Sequence, residues 1–376
     1  MKVNMPRISS GQMFALMVHF ILGTSEFVSL GAEAERDAWL SDLIGMAGGL
    51  LLFLLYYYPS FLFPRMTLIE YSRQLLGKGL GSATGFLYSM YFLYVAAVNL
   101  RDGVELVNIN MLTATPKTVI ALLMTLCMMY VTSLGAEVLA RTALIFWFAI
   151  TVVILTMNSL LLISGSLEFD RLLPILSNGW QPVLDSVLRE TLMFPYGEMI
   201  CIMMLMPFLK TPEKGLPVGI AAILTGGVLL IQAMALNIAS LGPEIATRSV
   251  FPLVIMMGKI QLSELFTRMD IFALTPMIIV AFIKVTILFY AALLGLSDIF
   301  RIEFRKLVLP MGCILLVWSV LLAPSLMQHL EFGAKLILFI HPLFVVAIPL
   351  LLASSAFFHR RRGGVRGFHK TDPQSE

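Results

Sequence analysis

Ten apolar stretches divide the chain, each close to the 20 or so mainly apolar residues that a helix needs to cross a bilayer. They cover roughly residues 11–35, 42–63, 82–108, 117–133, 140–164, 184–209, 216–240, 269–297, 307–328 and 333–358. Most connections between them are short and polar. Two are longer, 164–185 and 240–267, and mix apolar runs with Pro and Gly. These two are predicted to fold as short helices lying on the outer face. The pattern predicts an all-α membrane protein of ten transmembrane helices. Residues 1–358 form a single transmembrane domain, and 359–376 form a basic tail.

Two of the stretches are interrupted at mid-depth. The first carries "GTSEF" at 23–27 and the sixth carries "FPYGE" at 194–198. They hold the corresponding places in two five-helix halves. Paired interruptions of this kind point to a 5+5 inverted-repeat (LeuT-like) bundle with a ligand site at discontinuous first and sixth helices. The physical reason is that a broken helix leaves backbone N–H and C=O groups unpaired at mid-membrane. Such groups are tolerated only where protein, water or ligand satisfies them. The candidate site residues from the breaks are Gly23, Thr24, Ser25 and Glu26, with Phe194, Pro195, Tyr196, Gly197 and Glu198. An anionic ligand group such as a carboxylate is expected to meet the backbone N–H groups around Gly23, Thr24 and Ser25, and a cationic one the sixth-helix break and Glu198.

The charged residues sharpen the prediction. An ionised side chain at the bilayer centre costs about 2.5–3.5 kcal/mol even on the lenient insertion scale. Glu26, Glu198 and Lys284 are therefore expected to face an interior cavity, pair with one another, or lose their charge. Lys284 sits about fourteen residues from either end of its stretch, about 20 Å from the interface, too far to snorkel. It is read either as a counter-ion to Glu26 or Glu198, or as a ligand contact. The third stretch carries Tyr88, Tyr91, Tyr94 and Asn99, then Arg101, Asp102 and Glu105. Tyr91 and Tyr94 are candidates for a cavity wall, with core packing as the plainer alternative.

Charge placement orients the helices. With the N-terminus inside, the inner segments hold 16 of the 26 Lys and Arg residues, five of them in the tail. That satisfies the positive-inside rule and puts both termini on the cytoplasmic side. The first stretch contains His19 and Glu26, which suit a signal-peptide core poorly, so it is read as a transmembrane helix. The chain is 59% hydrophobic and 13% charged, where soluble domains carry about 25% charged residues. Cys127, Cys201 and Cys313 lie far apart in apolar runs, and the five histidines are scattered. Neither set has metal-ligand spacing, so no cofactor and no enzymatic activity are expected. No basic patch interleaved with aromatics suggests nucleic acid.

Taken in order along the chain, several segments resemble the spore germinant receptor B-subunit family, the spore permeases of the amino acid–polyamine–organocation superfamily. They are "ISSGQMFALMVHFILGTSEF" at 8–27, "DAWLSDLIG" at 37–45, "LLPIL" with "GWQPVL" before "FPYGE", and "TRMDIFALTPMIIVAFIKVTILFYAALLGLSDIF" at 267–300. The resemblance implies a multi-pass protein of the spore inner membrane that binds a small nutrient, typically an amino acid, and helps trigger germination. It implies a membrane-embedded A subunit and a lipoprotein C subunit as partners. A proton-coupled amino-acid transporter is the alternative.

Overall fold

The computed structural model describes residues 7–25, 27, 29–260, 269–321 and 325–361. In chain order its α-helices are α1 (Ser10–Leu22), α2 (Ala38–Leu62), α3 (Leu68–Leu76), α4 (Lys78–Asn110), α5 (Lys117–Leu134), α6 (Ala136–Ser164) and α7 (Trp180–Ser186). There follow α8 (Gly215–Leu241), α9 (Pro243–Arg248), α10 (Pro252–Gly258), α11 (Asp270–Phe300), α12 (Phe304–Leu321), α13 (Leu326–Lys335) and α14 (Ile348–Arg361). Among the described residues, eight helical segments are long and apolar enough to cross a membrane. They correspond to the second to fifth and seventh to tenth predicted stretches. The first and sixth are the two that carry breaks. The tail from residue 362 onward lies outside the described residues.

The centre and the periphery follow from burial. In the most apolar part of α11, 78% of residues are buried inside the protein, against 22% for α6. α11 packs along α4 at the centre, while α5, α6 and α12 turn apolar side chains such as Phe148, Leu155 and Val317 outward. In a bilayer those side chains face lipid tails. The two broken segments sit between these layers. α1 lies against α6, α8 and α11, and the sixth segment lies against α2. At one end the two are tied together by backbone bonds: Ile8 N–H donates to Phe208 O at 2.8 Å, and Lys210 N–H donates to Ile8 O at 2.9 Å.

The first stretch departs from its predicted length. α1 begins with a capping box in which Ser9 and Gln12 satisfy each other's backbone N–H groups. It then stops at Leu22, after 13 residues, or about 20 Å of rise. Gly23 ends it with φ +23° and ψ −115°. The chain reaches Gly31, which is left-handed at φ +75°, and a 3-10 segment over Ala32–Asp37, kinked at Glu35 (φ +50°), leads into α2. Among the described residues, the expected helix over 24–35 gives way to buried turns as far as Gly31 and to the partly exposed 3-10 segment beyond it. Phe27 and Leu30 are apolar because protein covers them, being 3% and 2% exposed.

The sixth stretch is discontinuous at the predicted place. α7 opens into a wide π-type turn over Val187–Tyr196, and a 3-10 segment follows over Gly197–Met204. Within the first of these Phe194 is extended, with φ −134° and ψ 123°. Pro195 explains this: its ring disfavours helical backbone at the residue before it, and it has no N–H for the ladder. The Tyr56 hydroxyl lies 3.2 Å from Gly197 O and 2.6 Å from Val345 O.

α2 approaches the broken segment closely because it presents Gly45, Gly48 and Gly49. A Cβ at Gly49 would lie 2.6 Å from the Cβ and Cγ of Tyr196, and one at Gly45 would lie 2.6 Å from Thr191 Oγ1. α9 and α10 supply the short helices expected in 240–267, up to residue 260. Residues 261–268 lie outside the described residues.

Candidate functional site

Glu198 is the centre of a buried polar cluster. It stands in the first turn after the sixth-segment break and is 3% exposed. One carboxylate oxygen, Oε2, lies 2.7 Å from Lys284 Nζ of α11. The other, Oε1, lies 3.0 Å from His341 Nε2, at the joint between the two wide turns of the last segment. With Glu198 ionised, only an N–H at His341 Nε2 can bond to it. The Lys284 contact is off the line of an aligned hydrogen bond. It is a close charge pair, held in addition by the faces of Phe194 at 4.2 Å and Phe20 at 5.3 Å.

Gly23 makes room for Lys284. A Cβ there would lie 2.2 Å from Lys284 Cδ. The break in the first segment therefore lets the lysine stem cross α1 and reach the break in the sixth. Thr24, the next residue, donates its hydroxyl to Asn99 Oδ1 at 2.6 Å, and Asn99 Nδ2 donates to Val95 O of α4 at 2.8 Å. α4 thus positions the first break through one asparagine.

A cavity of about 300 Å³ opens beside this cluster. Phe194, Glu198, His341 and Asn99 line its deep end, and Glu190, Asp102, His329 and Arg248 line the rest. Glu190 accepts from Gly31 N–H at 3.1 Å, which ties the turns after the first break to the broken sixth segment. Asp102 Oδ1 and His329 Nε2 are 2.6 Å apart. The volume is at the lower end of ligand pockets, which run about 300–1,000 Å³.

The predicted site residues divide into groups. Phe194 and Glu198 line the cavity, and Lys284 is the counter-ion of Glu198, behind it at 0% exposure. Tyr91 stacks on Phe344 at 4.3 Å and meets His341 edge-on, so it supports the histidine. Tyr94 goes elsewhere, packing edge-on against Trp318 of α12. Pro195 and Gly197 form the break, while Tyr196 turns toward Gly49 of α2 and Gly227 of α8. Ser25 lines a separate small cavity. Glu26 lies outside the described residues.

The backbone role expected of the first break does not hold at two positions. Gly23 N–H is committed to His19 O at 2.8 Å and Ser25 N–H to Leu22 O at 2.9 Å. His341, His329, Glu190 and Arg248 were not singled out from the sequence. The cost of burying a polar group would have flagged His341, which sits in the apolar run "FIHPLF".

Interrupted first and sixth segments, with a polar cavity beside the sixth-segment break, define a multi-pass membrane protein of the transporter-fold class. The structure of MHP1, a nucleobase-cation-symport-1 family transporter, superposes with a TM-score of 0.72 at 12% identity, covering 95% of this chain and 80% of that one. That likeness establishes the fold. A family model described as "Spore germination protein" matches residues 7–325, and the chain belongs to this spore germination protein family. It is 34% identical to spore germination protein KB of Bacillus subtilis (strain 168) over 95% of this chain and 96% of that one. It is 28% identical to spore germination protein YndE of the same organism, over 78% and 82%.

Proposed function

We propose that the protein is the membrane-embedded, nutrient-binding subunit of a spore germinant receptor. It would sit in the spore inner membrane with both termini inside, beside a membrane A subunit and a lipoprotein C subunit. The single-domain division at residue 358 belongs to the same reading. The observation that carries it is the 300 Å³ cavity beside the sixth-segment break, with Glu198, Asn99 and His341 at its deep end and Ser29 and Ala32 from beyond the first break on its wall. The lining has the complement of a small zwitterion: carboxylates at Glu190 and Glu198 for an ammonium, and Arg248 toward the rim for a carboxylate. An amino acid fills a space of this size. Binding would trigger germination by favouring one of two arrangements of the broken segments, which a ligand can do only through differential affinity.

The test is a steric plug. Gly333 lines the cavity, and a Cβ there meets nothing within 4 Å. Gly333→Phe should fill the space without straining the fold. In spores that depend on this receptor, nutrient-triggered germination should fall at least tenfold at normal protein levels. Germination with wild-type kinetics would remove the cavity from the mechanism.

A proton-coupled amino-acid transporter is the second reading, favoured by the titratable Glu198–His341 pair facing the cavity. Concentrative uptake of labelled amino acids by the chain alone in proteoliposomes would decide for it.

A further inference from the structure

We propose a sodium-type monovalent cation site beside the first break, held by Asp42 of α2, Asn237 of α8 and Ser25 of the break. The three residues line one small cavity of about 20 Å³, distinct from the ligand cavity and lined elsewhere by apolar side chains such as Leu30, Leu230 and Leu253. About 10–15 Å³ is enough to hold one water-sized particle.

The chemistry of the lining selects a cation. Asp42 is 2% exposed, and no described residue gives it a hydrogen bond or a salt bridge. Asn237 is 4% exposed, and its Oδ1 has no partner. The Ser25 hydroxyl donates to Ile21 O at 2.8 Å, so its hydrogen is committed and its lone pairs remain. The cavity therefore gathers three oxygen acceptors, and the one uncommitted donor group among the three side chains is the uncharged Asn237 amide N–H2. A water could donate to two of these oxygens but would leave the carboxylate charge uncompensated.

Two other buried acids carry a cation: Glu198 has Lys284, and Glu105 has Arg101 and Lys117. Buried Asp37 has none and accepts from Leu176 N–H instead. Asp42 has neither a counter-ion nor a hydrogen-bond donor among the described residues. All-oxygen donors suit a hard cation. One carboxylate balances one positive charge, and the single-particle volume favours the smaller alkali ion. Such an ion would tie the first break to α2 and α8 at once.

The full-length chain, purified in detergent, should bind ²²Na⁺ saturably in a scintillation proximity assay. Asp42→Asn, which keeps the shape and removes the charge, should lower bound ²²Na⁺ at least tenfold. Asn237→Ala should lower it severalfold, and Glu303→Gln, a surface change, should leave it unchanged. If Asp42→Asn does not run as a monodisperse peak, Asn237→Ala carries the test by the same criterion. Sodium should also raise the wild-type melting temperature relative to N-methylglucamine, and should not do so for Asp42→Asn. Absence of saturable binding to monodisperse wild type would overturn the proposal, because a proton then neutralises Asp42. Undiminished binding by the variants would do the same, and potassium displacing ²²Na⁺ as well as sodium does would overturn the size assignment.

Discussion

Removing either member of the Lys284–Glu198 pair should cost far more than removing both. The ammonium is 0% exposed and the carboxylate 3%, at 2.7 Å separation. Deleting one partner of a buried pair leaves an uncompensated charge, at about 3–5 kcal/mol. The environment here argues for the lower end. After Lys284→Met, Glu198 retains its hydrogen bond with His341 at 3.0 Å. After Glu198→Gln, Lys284 retains the faces of Phe194 and Phe20. Each single variant should therefore lose about 3 kcal/mol. The double variant Glu198→Gln/Lys284→Met buries no unpaired charge, and Met fills most of the lysine stem's volume. It should lose about 1–2 kcal/mol, giving a coupling energy of at least about 2 kcal/mol. Denaturant titration of the three purified variants, followed by tryptophan fluorescence, measures the cycle. If the single effects add to the double within about 0.5 kcal/mol, the pair is not coupled in the folded protein and the reasoning fails.

Three further outcomes are expected. Gly23→Ala should destabilise by about 1–3 kcal/mol, because the methyl would lie 2.2 Å from Lys284 Cδ at a residue with positive φ; a wild-type melting curve would contradict this. Gly49→Ala should cost a similar amount by forcing α2 away from Tyr196, read out as a lowered midpoint in size-exclusion thermal profiles. His341→Ala should weaken the nutrient response at least tenfold while costing about 1–3 kcal/mol, since it removes a hydrogen bond from a buried carboxylate. A response unchanged in half-saturating nutrient would separate His341 from the site.

The two breaks were legible because they violate the local pattern. Pro195 and Gly197, and the small run after Gly23, have no place in a lipid-facing helix unless something else satisfies the backbone. Glu198 and Lys284 were legible for the same reason, as charges too deep to reach water. What the sequence conceals is direction. Tyr88, Tyr91 and Tyr94 read as one stripe, yet at about 100° per residue Tyr94 lies about 120° around the helix from Tyr88. Tyr88 and Tyr91 accordingly meet Phe344, while Tyr94 meets Trp318. Hydrophobicity also cannot separate a buried turn from a spanning helix, which is why the first stretch was predicted past Leu22. His341 escaped because a neutral imidazole disturbs an apolar run less than a carboxylate does. Its partner is 143 residues away in sequence, a separation that no local pattern reports.

The most direct test of the account is the position of the nutrient in a cryo-electron microscopy map of the receptor with its germinant bound. The account predicts density in the cavity between Phe194, Asn99 and His341, within contact distance of Glu198, and absent from the Gly333→Phe variant. Nutrient density elsewhere, with this cavity empty, would contradict it.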